Sequence, residues 1–139
     1  MAEFLEVTAA WKGGYQSLVN ARGHEIPVDE PERAGGANLG MMPTEVFCAA
    51  VASCYCLALA HVAAKRSLEL PGLNVTVRAE RAGSELRYGR LVVRARADVP
   101  DGRLAALIEP ARRVCWVSNT LAGELALEYG YTPADGADH

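Results

Sequence analysis

The sequence predicts an α+β fold, and three observations carry that expectation. Apolar and polar residues alternate in short runs at the front of the chain and again between Leu73 and Val99, the period of half-buried strands. Between these groups lies an uncharged run of nineteen residues, Val46 to Ala64, whose length and alanine content suit a helix. Turn residues, chiefly glycine, separate the runs, giving the order three strands, a long helix, two strands, a helix and a strand.

Each element has its own signal. Leu5, Val7, Ala9 and Trp11 alternate with Glu6, Thr8 and Ala10, so the first strand has one apolar face. Lys12-Gly13-Gly14 turns the chain into a second strand, Tyr15 to Ala21, and Arg22-Gly23 turns it again into a third, His24 to Val28. Asp29 to Pro43 carries Gly35, Gly36 and Gly40 and reads as a loop ending at a helix. Pro43 suits the first helical turn, where its missing N–H is not needed, and Glu45 suits the positive end of the helix dipole. The helix is expected to reach about Leu68. It is apolar almost all round, with Val46, Phe47, Val51, Leu57, Leu59 and Val62 on different sides, and such a helix must be covered everywhere. At ~1.5 Å per residue it is over ~30 Å long. One sheet covers one side, so the other needs a further helix, including one from a second copy. The alanines allow close approach, and a homodimer is expected on this ground.

Leu73, Val75, Val77 and Ala79 alternate with Asn74, Thr76, Arg78 and Glu80 before a hairpin turn at Gly83-Ser84, and Leu86 to Val99 returns. Apolar residues switch from even to odd positions along the return, which predicts a bulge near Gly89. Asp101 is expected to cap a second helix running to about Val114, kinked at Pro110. A final strand is expected within Leu121 to Tyr131. Residues 1–131 then make one domain, and 132–139, polar with Gly and Pro, a disordered tail.

Composition narrows the function. At 139 residues, half of them hydrophobic, the chain can bury one core, and a net charge of −3 argues against nucleic-acid binding. Met1 to Glu6 is acidic and lacks the apolar stretch of a signal peptide, so a cytoplasmic location is expected, where a disulfide is more often transient than structural. The uncharged run is long enough for a membrane span, but it is alanine-rich and interrupted by Ser53, Tyr55 and His61, so no membrane association is expected. The cysteines, at 48, 54, 56 and 115, do not form the paired C-x-x-C knuckles of a metal site.

Two of those cysteines bear most on function. Cys54 lies deep in the apolar run, and Cys115 opens the segment Cys115-Trp116-Val117-Ser118-Asn119-Thr120-Leu121. A buried thiol can be simple packing, but two thiols in such settings form a redox pair worth testing. Cys56 points about 200° away from Cys54 on a helix, so those two can neither share a metal nor close an easy disulfide. Cys48 and Cys56 read as core residues. His61 shares a face with Cys54 but lies ~10 Å along the axis and reads as a core or interface histidine.

The run Gly35-Gly36-Ala37-Asn38-Leu39-Gly40-Met41-Met42-Pro43-Thr44-Glu45, followed by Ala52-Ser53-Cys54 eleven residues after the proline, resembles the OsmC/Ohr family, the osmotically inducible and organic hydroperoxide resistance proteins. The Cys115 segment resembles that family's second motif. The resemblance implies an OsmC-like intertwined homodimer, with antiparallel sheets wrapped around two long central helices and the site at the interface. It implies a peroxidase with no cofactor, metal or haem. Cys54 would attack a hydroperoxide as thiolate and become a sulfenic acid; Cys115 would condense with it to a disulfide, and an external dithiol would reduce that bond.

One feature of the family is missing. In the hydroperoxide-resistance branch an arginine after the first Gly-Gly pairs with a glutamate directly after the proline, whereas this chain has Tyr15 and Thr44 there. Glu45 holds the next position. On a helix it falls opposite Cys54 and ~13 Å along the axis, so it could serve only the partner's cysteine. An attacking thiol must be ionised, and Cys54 is too far along its helix to use the dipole. Arg22, held by Glu45 of the other chain, is the candidate replacement cation; its plain reading is a turn charge. Met41, Met42, Phe47 and Trp116 could line an apolar peroxide pocket, though packing explains each equally well. A second reading is a non-catalytic protein of the same fold that binds a small apolar ligand at the dimer interface.

Overall fold

The structure is a computed structural model and describes residues 4–134 and 136. It has two compact units: one holds the chain up to Ser53 together with Val75–Ala95, the other Cys54–Asn74 and the chain from Arg96 onward.

In the first unit, β1 (Thr8–Gly13), β2 (Gln16–Ala21) and β3 (His24–Val28) form an antiparallel sheet in that order. Ala10 faces Leu18, and Val19 faces Ile26. The turns explain the pairing. Gly13 and Gly14 both have positive φ, and Trp11 Nε1 donates to Gly14 O at 2.9 Å. Arg22 and Gly23 also have positive φ, 54° and 85°, the requirement of a two-residue hairpin turn whose twist matches its strands. Asn20 Oδ1 accepts the Gly23 N–H there. β1 starts three residues later than the alternation suggested. Its expected apolar face is open: Trp11 is 76% exposed. Alternation alone marks a face, and none of the described residues covers it.

After β3 the chain folds back on Asp29, which is buried. Its Oδ1 accepts the Glu30 N–H at 2.7 Å, and its Oδ2 accepts those of Ala37 and Leu39 at 3.1 and 3.2 Å. Asp29 N–H donates to Met41 O, so Val28 and Met41 form a short parallel bridge. The loop passes so close to β3 that a β-carbon on Gly36 would collide with the Glu30 carbonyl and one on Gly40 with that of Pro27. The glycines are there for this approach. The unit also contains most of the hairpin of β4 (Asn74–Arg81) and β5 (Tyr88–Arg96), whose turn Arg81 fastens through Nε to Glu85 O at 2.8 Å.

Helix α1 (Pro43–Lys65) begins in the first unit and ends in the second. It stops three residues short of Leu68: Ser67 takes a left-handed φ of 55°, and the Leu68 and Ser67 N–H groups return to Ala63 O and Ala64 O, a Schellman ending. Val51, Tyr55, Ala58, Leu59, Val62 and Ala63 are buried and form a single helical stripe. Full cover, as expected from the composition, is therefore not found in one chain. Leu57 is 70% exposed, and Ala50, Ser53, Ala60, His61 and Ala64 are exposed as well. By length and composition alone α1 could cross a bilayer, although a third of its most apolar window is buried in the protein.

In the second unit the expected helix from Asp101 is two short ones, α2 (Asp101–Ala105) and α3 (Ile108–Arg113). Pro100, not Asp101, occupies the cap position, and Asp101 lies in the first turn. The break at Ala106–Leu107 has a cause in Pro110, whose ring would strike the carbonyl four residues back, at Ala106, in a continuous helix. Leu59, Leu107, Ala111 and Cys115 are fully buried and make this unit's core. Burying a leucine contributes on the order of 2 kcal/mol. The final strand is not found. Trp116–Ala122 is helix α4, and residues 124–133 have no regular structure. A strand needs an edge to satisfy its N–H and C=O groups, which periodicity cannot supply. Of the tail, 132–134 and 136 are described, with Gly136 N–H donating to Pro133 O; residues 135 and 137–139 lie outside the described ones.

Candidate active site

Cys54 and Cys115 meet in the second unit. Tyr55 lies in the buried stripe of α1, and Cys54, about 100° around the helix from it, is half-buried. The Tyr55 hydroxyl donates to the Ile108 carbonyl at 2.9 Å, tying α1 to the start of α3. Two residues past the end of α3 the chain leaves helical geometry at Cys115, with φ −87° and ψ 102°, and enters α4. The Cys115 N–H donates to Arg112 O, its carbonyl accepts the Asn119 N–H at 3.0 Å, and Asn119 Nδ2 reaches back to Arg113 O at 3.1 Å. The backbone of Cys115 is thus fixed from both sides.

Its sulfur is equally well held. The backbone N–H groups of Val117 and Ser118, the Ser118 hydroxyl and the Cys54 thiol lie around it and favour its charged form. Burial pushes the Cys115 thiol up, but these donors outweigh burial and hold it below its ordinary value of 9.0. Ser118 Oγ also lies 3.3 Å from the Cys115 carbonyl, so a small rotation lets the hydroxyl serve either acceptor. Tyr55 is shifted the other way: burial, then the negative charges of Glu109 and Cys115, raise it against the opposing Arg112. It stays a neutral phenol and keeps its hydrogen bond.

The remaining sequence candidates lie elsewhere. Arg22 is exposed in the β2–β3 turn, in the first unit, so its turn role is the one visible in the chain. Glu45 is also in the first unit and accepts the Met42 N–H at 2.9 Å, a capping contact at the start of α1. Met42 and Glu45 line a cavity of about 150 Å³ with Arg33 and Asn38. Met41 pairs with Val28, and Phe47 is exposed on α1. Trp116 is exposed in the second unit, where it lines an open cavity of about 460 Å³ with Arg113, Val114, Asn119 and Thr120. Tyr15 packs against Gly35, and Thr44 lines a cavity of about 310 Å³ with Arg81 and an Arg87–Glu85 ion pair. That pair is exposed, and such pairs contribute little to stability. Among the described residues no three of His, Cys, Asp and Glu converge as a metal site requires.

Sequence reasoning missed three contributors. Asp29 has no local signal, because two of its three donors come from residues eight and ten positions on. Tyr55 looked like an interruption of an apolar run, when its hydroxyl is a tether. Ser118 was visible within the second motif, but its hydroxyl bond to the Cys115 carbonyl was not.

The element order of three strands, a long helix, a two-stranded hairpin and three short helices makes an α+β fold of the OsmC-like type. The model of the OsmC-like protein family matches residues 35–130, and the chain belongs to that family. Among solved structures it is similar to an organic hydroperoxide resistance protein from Elizabethkingia anophelis, at 28% identity and TM-score 0.63, covering 88% of this chain and 91% of that one. It is also similar to an organic hydroperoxide resistance protein OsmC from Legionella pneumophila, at 23% and 0.67, over 88% and 93% of the two chains. An OsmC-like protein from Mycoplasma pneumoniae has the same fold at 17% identity and TM-score 0.71, over 88% and 90%. No curated protein matches the sequence.

Proposed function

We propose that this chain is a thiol-dependent peroxidase that reduces organic hydroperoxides. The observation that carries the reading is that Cys54 and Cys115, sixty-one residues apart, are neighbours in one unit of one chain, so a sulfenic acid formed on either sulfur has a condensation partner close by. The names of its relatives, two of them organic hydroperoxide resistance proteins, support the substrate class. Cys54, the more accessible of the two, takes the peroxide oxygen, Cys115 closes the disulfide, and an external dithiol in the cytoplasm reopens it. Cys54, Cys115, Arg22 and Glu45 carry the catalysis on this reading, Arg22 and Glu45 acting across a homodimer. Met41, Met42, Phe47 and Trp116 line the substrate's path.

The homodimer rests on surface that the chain leaves bare. The face of α1 around Leu57 is exposed, and so are Leu125, Leu127 and Tyr129, which alternate along the segment after α4. A second copy supplies both the helix and the sheet edge these need. Light scattering at micromolar concentration should give twice the chain mass; a folded monomer would sink the dimer.

Tyr15 and Thr44, standing where the hydroperoxide-resistance branch has its arginine and glutamate, favour the second reading, a non-catalytic protein binding a small apolar ligand. Intact mass after one equivalent of an organic hydroperoxide decides between them. Loss of two hydrogens means a disulfide, and an unchanged mass means the binding protein.

A further inference from the structure

The chain is acidic, yet its positive charge is concentrated in one place. Half of its twelve arginines fall in the hairpin of β4 and β5: Arg78, Arg81, Arg87, Arg90, Arg94 and Arg96. Against these six stand only Glu80 and Glu85, so residues 74–96 carry a net +4, and the chain's net −3 leaves −7 to all the others. All six arginines are exposed. Arg78 and Arg90 share the one Glu80 carboxylate, at 3.4 and 3.1 Å, which puts both on the same face. Arg94, four residues past Arg90 on β5, returns to that face. Arg81 donates from Nε and Nη2 to the backbone carbonyls of Glu85 and Ser84, at 2.8 and 2.9 Å, and so keeps its full charge.

Those two bonds also brace the turn, helped by the Ala82 N–H, which donates to Arg87 O at 3.0 Å. On this braced turn stands Leu86, 98% exposed, the barest large apolar side chain among the described residues. Leu86 and Tyr88 line one open cavity of about 310 Å³ with Arg81 and Arg87. Tyr88 precedes Arg90 by two residues on β5, so the leucine stands at the end of the arginine face. A turn that only joins two strands has no use for a bare leucine, and a rigid one does not fold it away. Charged residues also keep sheet edges apart, but that needs neither a single sign nor an exposed leucine.

We propose that this hairpin docks on the surface of an anionic phospholipid bilayer, its arginines on the headgroup phosphates and Leu86 at the acyl boundary below them. Charge complementarity selects an anionic partner. A guanidinium pairs with phosphate through two N–H donors, and each basic residue near an anionic membrane strengthens attachment about 5-fold. Leu86 selects the bilayer among anionic partners. A leucine flanked by arginines, with a tyrosine beside it, fits the boundary where apolar groups enter and charged ends stay in water. A nucleic acid offers the phosphates but no place for the leucine. The composition of α1 argues against a span, and a docked hairpin needs none, because it lies on the headgroups and leaves when salt screens them. The docking is independent of the peroxidase reading.

Co-sedimentation of the full chain with vesicles tests it. One set is phosphatidylcholine and phosphatidylglycerol in equal parts, the other phosphatidylcholine alone. The chain should sediment with the mixed vesicles at low salt, come off in ~1 M salt, where the screening length is ~3 Å, and ignore the neutral ones. Arg90→Gln combined with Arg94→Gln should weaken binding about 25-fold, and Leu86→Ser about 10-fold. Circular dichroism of each variant in solution should match the wild type, which separates lost binding from lost folding. Failure to sediment with the mixed vesicles, equal sedimentation with both sets, or binding that either variant leaves untouched would overturn the proposal. So would retention on a duplex oligonucleotide that Leu86→Ser does not alter and the mixed vesicles do not displace.

Discussion

Asp29 in the first unit and Cys115 in the second are both buried groups surrounded by hydrogen-bond donors, and they differ in what those donors can do. The Asp29 carboxylate accepts three backbone N–H groups, from Glu30, Ala37 and Leu39, and no partner there can change its protonation state. Burial pushes Asp29 up, and the three bonds more than reverse it, holding the carboxyl below its ordinary value of 3.8. Cys115 has two backbone N–H groups and a hydroxyl around its sulfur, and its fourth neighbour is another thiol. A closed set of donors fixes a loop. A neighbour that can itself titrate leaves the second set responsive to pH.

The largest expected effect separates the two thiols. Cys54→Ser should abolish peroxide consumption, whereas Cys115→Ser should allow a single turnover and leave a sulfenic acid at Cys54 that dimedone traps. Equal steady-state rates in the wild type and the Cys115 variant would remove Cys115 from the cycle. Next comes the loop around Asp29. Gly36→Ala drives a β-carbon into the Glu30 carbonyl, backbone that cannot swing aside, and should cost about 3 kcal/mol in denaturant titration. If the loop is as closed as its bonds indicate, that loss appears at every pH.

Acid titration compares the two groups directly. Both are depressed on folding, so each stabilises the fold above its unfolded value, and that stabilisation is lost as pH falls through the folded one. For Cys115 the loss starts below pH 9.0; for Asp29 it starts below 3.8. Thermal unfolding should therefore show a separate acid decline below 3.8 that Asp29→Asn makes shallower. The smallest effect concerns Arg22. Its left-handed turn position favours asparagine, so Arg22→Asn should raise stability by about 0.5 kcal/mol while removing the charge. An alkaline shift of Cys54 alkylation in that variant is expected if Arg22 acts on the partner's cysteine, and an unshifted profile would remove Arg22 from the proposed site.

What the sequence made legible was mostly local. β1 to β3 follow from the turns at Gly13-Gly14 and Arg22-Gly23, which fix pairing over a few residues, and α1 follows from its composition. The break between α2 and α3 was attributed to Pro110, but it falls four residues earlier because the ring acts on the preceding carbonyl. The expected strand at Leu121 to Tyr131 depends on a distant edge, which no local pattern encodes. The same division holds at the site. Resemblance to a family singled out Cys54 and Cys115, whereas the donors that make Cys115 unusual are set by the turn after it. The Asp29 cage draws on backbone amides, and these leave no trace in side-chain identity.

Tyr55 has one further consequence. A phenol ring is a rigid spacer, and Tyr55, next to Cys54 in the chain, has its hydroxyl anchored to the Ile108 carbonyl. The distance between the helix bearing one sulfur and the segment bearing the other is therefore gauged by a ring and a single bond. The two side chains can then rotate about a frame that stays put.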